Sequence, residues 1–344
     1  EAKKFKGEPG KLNEFKRQFP ETIKDAFRDE SDDCEFTLEF LLEQIEHNEN
    51  ELNDVYIDGR TWTGNDAVIP GKLIWKNGER FTEVEFIETD NGPFYVKKGC
   101  FPPADLRNNY STKTIHGWSA YAPEGKGIGC IGVDPYNRSK TASGTGSFGA
   151  IIGGTGVHTH PELPQDQTIF EYIHRPKRVE IFFEHALMAA IFWGFPFLSE
   201  LSNEYFLNFI KDNGFRHFSM NNPFKKYLQL NPTEKELGGA PQQDSKIGEA
   251  QFYAADSYID KYIGVARDNN ERPTGQIGDF PFSRTLYQFK DVDTSDRTKY
   301  DAYIAWTLHR VGIKRQKRMQ APVEDKLVIS FQRFDNSGVV SRPI

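Results

Sequence analysis

The sequence predicts an α/β fold, a mixed sheet flanked by helices with an N-terminal helical and linking segment ahead of it. Three observations carry this expectation. Short apolar runs bounded by Gly, Pro and Asn recur between residues 55 and 173, at strand rather than helix length. A single run over residues 179–193 is apolar on nearly every side, as a buried helix requires. After it, a short strand pattern and several helical patterns follow one another, so strands and helices share one core.

Residues 1–55 are charge-rich and polar, with one amphipathic helix expected over residues 35–46, where Phe36, Phe40, Leu41 and Ile45 share a face. From residue 55 to 96, alternating runs such as Lys72-Leu73-Ile74-Trp75 and Val84-Glu85-Phe86-Ile87 are separated by Asn77-Gly78 and Asn91-Gly92-Pro93, which predicts antiparallel hairpins. A buried strand is expected over residues 128–133, ending at Asp134 where Pro135 stops it. A polar Gly/Ser/Thr loop follows, and residues 147–152 form the returning strand. A third strand over residues 167–173 stops at Arg175-Pro176, the buried helix spans 179–193, and Gly194 terminates it. A short strand then runs to Glu200, although Pro196 strains that assignment. Helices are expected over residues 203–212, 245–263 and 300–311. Three strands in a meander followed by helices alternating with strands is the order found in ribonuclease H-like folds.

The 344 residues, 37% hydrophobic and 14% aromatic, suffice for a substantial core. No apolar stretch approaches the roughly 20 residues of a bilayer span, and the first residues carry no signal-peptide pattern, so no membrane association and a cytoplasmic setting are expected. Cys34, Cys100 and Cys130 are too few and too scattered for a disulfide framework or a zinc ribbon, and are expected as reduced thiols. A net charge of −7 excludes a protein that grips nucleic acid by a global positive field. It leaves room for a local patch, and Lys314, Arg315, Lys317 and Arg318, expected directly after the last helix, are the candidate DNA-binding residues. Their alternative role is to complement that helix's dipole. The chain starts with Glu, so a preceding segment is expected.

Two stretches match a dinucleotide-binding glycine pattern, Gly127/Gly129/Gly132 and Gly144/Gly146/Gly149. Neither is followed by the helix whose N-terminus would meet a pyrophosphate. No Gly-x-x-x-x-Gly-Lys-Ser/Thr loop occurs, so ATP hydrolysis by this chain is not expected. His158 and His160 share a face of an extended segment but have no neighbouring Cys or His to complete a zinc set. No Gly-x-Ser-x-Gly elbow supports acyl transfer.

The remaining chemistry lies in three carboxylates: Asp134 at a strand end, Glu200 at the end of the run 195–199, and Asp301 early in the last helix. Singly, each has a plain structural role, as turn former or helix-start acid. Together, acids converging from two strand ends and one helix are the parts of a two-metal phosphodiesterase. Two divalent ions neutralise the attacking and leaving oxygens of a phosphodiester, and carboxylates must hold them. Oxygen ligands favour Mg2+ or Mn2+. Asp134 is expected to bridge both ions while Glu200 and Asp301 each hold one side, and in the empty site the acids should repel one another and raise at least one pKa.

Four segments, in order, carry a resemblance. They are Phe19-Pro20 with Asp25-Ala26-Phe27, Gly132-Val133-Asp134-Pro135, Phe197-Leu198-Ser199-Glu200 followed by Asn203, and Tyr300-Asp301-Ala302. Together they resemble the C-terminal nuclease domain of bacteriophage terminase large subunits, of a divergent tailed-phage type. Phe19 and Asp25 depart from the Tyr and Glu usual in the first segment. Asp291, Asp293 and Asp296 lie where many members carry adjacent acids, so Asp293 or Asp296 is kept as an alternative to Asp301. The resemblance implies a ribonuclease H-like endonuclease that cuts double-stranded DNA with little sequence preference during genome packaging. It implies residues 1–55 as a linker following an ATPase motor domain of the same polypeptide, residues 56–313 as the nuclease domain and 314–344 as a basic C-terminal tail. It further implies a terminase small subunit and a portal protein as partners, in the cytoplasm of an infected bacterium. The alternatives are another ribonuclease H-like nuclease, of junction-resolvase or transposase type, and a non-catalytic module coupling DNA or portal to the motor.

Overall fold

A computed structural model describes residues 34–52, 55–57, 61–63, 67–115, 118–125, 127–136, 148–157, 160–201, 204–241, 245–268, 273–293, 299–319, 334–335 and 338–339. Its centre is a seven-stranded mixed sheet. In chain order the strands of this sheet and its companions are β1 (Val55–Ile57), β2 (Thr61–Thr63), β3 (Val68–Trp75), β4 (Val84–Glu88), β5 (Phe94–Lys97), β6 (Tyr110–Ile115), β7 (Trp118–Pro123), β8 (Gly129–Asp134), β9 (Gly149–Thr155), β10 (Thr168–His174) and β11 (Phe197–Ser199). The large sheet has the order β11-β8-β9-β10-β5-β3-β4. β8, β9 and β10 form an antiparallel meander, and β11 returns to lie parallel to β8.

The expected meander, the strand end at Asp134 and the short strand before Glu200 are all present, and that strand, β11, proves parallel to β8. Pro196 lies just outside β11, where its missing N–H breaks no ladder, and its carbonyl accepts from Ile131 N at 3.0 Å. The hairpin β3/β4 turns at Asn77-Gly78 as expected. β5, however, pairs with β3 and β10, not with the adjacent β4, and so welds the early strands onto the meander. β6 and β7 form a separate two-stranded ribbon that the sequence reading did not identify.

Helices cover both faces. On one side lie α1 (Leu38–Glu51), α5 (Ser245–Tyr262), α6 (Ser283–Asp291) and α7 (Asp301–Met319). On the other lie α2 (Val179–Trp193) and α3 (Glu204–Asp212), and the short α4 (Pro232–Leu237) follows α3 in the chain. α2 has the expected bounds, and Gly194 ends it in the left-handed conformation, φ 66°. Trp193 stacks on Phe170 of β10 with ring centroids 4.0 Å apart. On the opposite face Trp306 of α7 packs edge-on against Phe289 and Tyr258, and its Nε1 donates to Thr168 Oγ1 of β10 at 2.9 Å.

Two expectations need correction. The amphipathic helix starts at Leu38 and extends to Glu51, with Leu41, Ile45 and the preceding Phe36 buried in the same apolar cluster as α7. This part of the expected linker therefore belongs to the core. The last helix does not stop near residue 311. It continues to Met319, so the run Lys314 to Arg318 forms its final turns rather than the start of a tail.

Candidate active site

The acid positions follow from strand register and helix packing. On β8, Cys130 sits in the α7-side cluster, while Ile131 and Val133 sit in the α2-side cluster, so alternation puts Asp134 on the α7 side. β11 pairs Leu198 with Gly132 and Ser199 with Val133, which brings Glu200 next to Asp134 on the neighbouring strand. Leu198 is also in the α7-side cluster, so Glu200, two residues on, shares that face. Adjacent strands lie about 4.8 Å apart. Two carboxylates are thereby placed side by side at one sheet end.

Asp301 arrives by a different route. α7 lies so close to β8 that a Cβ on Gly132 would overlap the carbonyl oxygen of Ala305, and one on Gly312 would overlap Cys130 Sγ. Only glycine permits this approach, and the pairing of contacts shows α7 running opposite to β8. Moving from Gly132 to Asp134 advances roughly 6.6 Å along the strand, close to one helical turn back from Ala305 to Asp301. The helix start is held in place: Gln288 Oε1 accepts from Ala302 N at 2.7 Å and from Tyr303 N at 3.1 Å, and Asp301 Oδ2 accepts from Phe148 N at 2.9 Å.

The three acids meet electrostatically. The Asp134 carboxyl is held well above the usual carboxylate range by burial first, then by the negative charges of Glu200 and Asp301. Glu200 and Asp301 are each only 8% exposed. The expected trio is thus brought together from two strand ends and a helix start. Of the alternatives to Asp301, Asp293 is exposed beyond the end of α6 and Asp296 lies outside the described residues.

The three carboxylates fit a hard divalent cation in donor type, and such a charge would offset the repulsion on Asp134. Among the described residues no group of three or more His, Cys, Asp or Glu is placed so that it could hold a metal ion as it stands.

Other candidates separate from this centre. His160 pairs with Asp105, Nε2 to Oδ2 3.1 Å, and His158 lies outside the described residues. Both glycine patterns lead into strands, the first into β8 and the second, at Gly149, into β9, so neither has a helix after it. Lys314 is exposed thirteen residues along α7 from Asp301, roughly 20 Å at helical rise, at the opposite end from the acids. The side chains of Arg315, Lys317 and Arg318, and the segment 15–27, lie outside the described residues. The three cysteines are free, and burial pushes the Cys130 thiol up to about 12, which leaves it unreactive.

Sequence reasoning missed the Phe148 amide and the Gln288 cap, since a backbone donor and a long-range cap carry no local signal. It also missed a clasp beside the acids. Tyr136, two residues past Asp134, donates its hydroxyl to the Pro176 carbonyl at 2.9 Å, and Arg175 lies over its ring at 4.3 Å. No protein-family model matches the chain, and no curated protein matches it. Among the described residues, no helix is long and apolar enough to cross a membrane.

Proposed function

We propose that the chain is a metal-dependent endonuclease that hydrolyses double-stranded DNA with little sequence preference, as the nuclease part of a phage packaging terminase. The observation that carries this reading is the convergence of Asp134, Glu200 and Asp301 on one end of the sheet, where the charges of Glu200 and Asp301 bear on the Asp134 carboxyl. Three acids crowded without a cation are costly to a fold, and are explained most simply by a charge they are built to hold. Support for a ribonuclease H-like architecture comes from the element succession: the meander β8-β9-β10, the buried α2, β11 parallel to β8, and a late helix that carries the third acid.

Asp134, with Glu200 on the β11 side and Asp301 on the α7 side, would hold the Mg2+ or Mn2+. Bound there, two divalent ions supply charge neutralisation at the attacking and leaving oxygens of the phosphodiester. The protein's own part is orientation. The Phe148 amide fixes the Asp301 carboxylate, the Gln288 cap fixes the helix start beneath it, and the β8/β11 pairing fixes Glu200 against Asp134. On this reading the chain works with an ATPase motor domain of the same polypeptide, a terminase small subunit and a portal protein, in the cytoplasm of an infected bacterium.

The test is incubation of supercoiled plasmid with the chain and manganese, with and without chelator. Nicking that needs the metal, and is lost in Asp134→Asn with the circular dichroism spectrum unchanged, is the expected result. Intact plasmid under all conditions would favour the non-catalytic coupling module. Preference for branched over linear duplex would favour the junction-resolvase type.

A further inference from the structure

β8 and β10 are both antiparallel to β9, and Ala150 of β9 stands opposite Asp134 on one side and Ile173 on the other. The two strands therefore end at the same edge of the sheet, about two strand spacings or roughly 10 Å apart. The segment leaving β10 is His174-Arg175-Pro176-Lys177-Arg178, and it enters α2 at Val179. His174, Lys177 and Arg178 are exposed, and the Arg178 side chain is 75% exposed with its Nε 3.8 Å from Glu180.

The loop is fastened to the acid-bearing strand by the Tyr136 clasp. Its hydroxyl bonds the Pro176 carbonyl and its ring carries the Arg175 guanidinium, so the loop is tied to the chain two residues past Asp134. A positive rim beside a negative centre is complementary to a phosphodiester backbone. The rim attracts phosphates that the isolated acids would repel, and it stands out because the chain as a whole is at −7.

We infer that the loop Arg175, Lys177 and Arg178 is the phosphate-gripping surface that seats duplex DNA over the acidic centre, and that the basic end of α7 is not. This rests on the reading of the centre as a phosphodiester site. The far end of α7 is roughly 20 Å from Asp301, whereas the rim lies on the same sheet edge as Asp134.

The experiment measures binding apart from cleavage. A fluorescein-labelled 30-base-pair duplex is titrated with the full chain in EDTA, and anisotropy is followed across a salt series. Wild type is compared with Lys177→Glu/Arg178→Glu, with the milder Lys177→Gln/Arg178→Gln, and with a quadruple charge reversal at Lys314, Arg315, Lys317 and Arg318. The rim reversal should weaken binding about 10-fold or more and reduce the slope of log affinity against log salt by about 2, with the Gln pair intermediate. Circular dichroism melting checks that each variant is folded. Loss confined to the helix-end variant, or no binding by wild type, overturns the inference. Rim-dependent binding without manganese-dependent nicking would leave the rim standing and remove the nuclease reading.

Discussion

At Asp134, geometry and electrostatics act against the fold. Its carboxyl is pushed above the usual range by burial, and by Glu200 and Asp301. A group whose folded pKa exceeds its unfolded value favours folding in its protonated form, an effect fully present below the unfolded pKa and lost as pH rises through the folded one. At neutral pH, well above the unfolded value, holding Asp134 in this place therefore costs the fold stability. Asp134→Asn should melt at a higher temperature than wild type at pH 7, and the gain should shrink as pH falls toward the ordinary aspartate value of about 4. Thermal unfolding by circular dichroism across this range decides it, and a less stable Asn variant at pH 7 would contradict the crowded-acid description. The position of Asp134 was legible because Pro135 cuts off an apolar run. Its neighbours were legible only as separate strand and helix ends, because strand register and helix docking are non-local.

Among the elements, α7 on β8 is the contact that assembles the site. A side chain at Gly132 would collide with backbone at Ala305, which cannot rotate away, so the helix itself must shift. Overpacking of this kind costs about 1–3 kcal/mol. Gly132→Ala should lower the melting temperature by several degrees, and because α7 carries Asp301, a displacement of about 1 Å should reduce nicking by roughly 100-fold. Plasmid nicking and melting measured on the same preparation test the two effects together, and full activity would show that α7 does not set the acid's position. Those elements visible in the sequence, β8, β9, β10 and α2, are apolar runs with sharp Gly or Pro stops. Those that escaped lack such marks. Thr112, Lys113 and Thr114 of β6 are exposed, so this ribbon shows no apolar alternation. Beyond the buried Ile313, α7 continues through Lys314 to Arg318, residues that keep helix propensity but carry no apolar stripe.

For the molecule as a whole, the same crowding predicts a response to divalent ions. A ligand that binds only the folded chain stabilises it by about 2.7 kcal/mol at one hundred times its dissociation constant, several degrees of melting temperature for a domain of this size. Saturating manganese should therefore raise the melting temperature of wild type, and the rise should disappear in Asp134→Asn, Glu200→Gln and Asp301→Asn, each of which removes a negative oxygen from the centre. Asp293→Asn should keep the full rise, since the carboxylates that bear on Asp134 are those of Glu200 and Asp301. Differential scanning fluorimetry over a manganese titration distinguishes these variants without any substrate. A rise retained in all three site variants would place the ion elsewhere, and one lost only in Asp293→Asn would move the third acid upstream of α7.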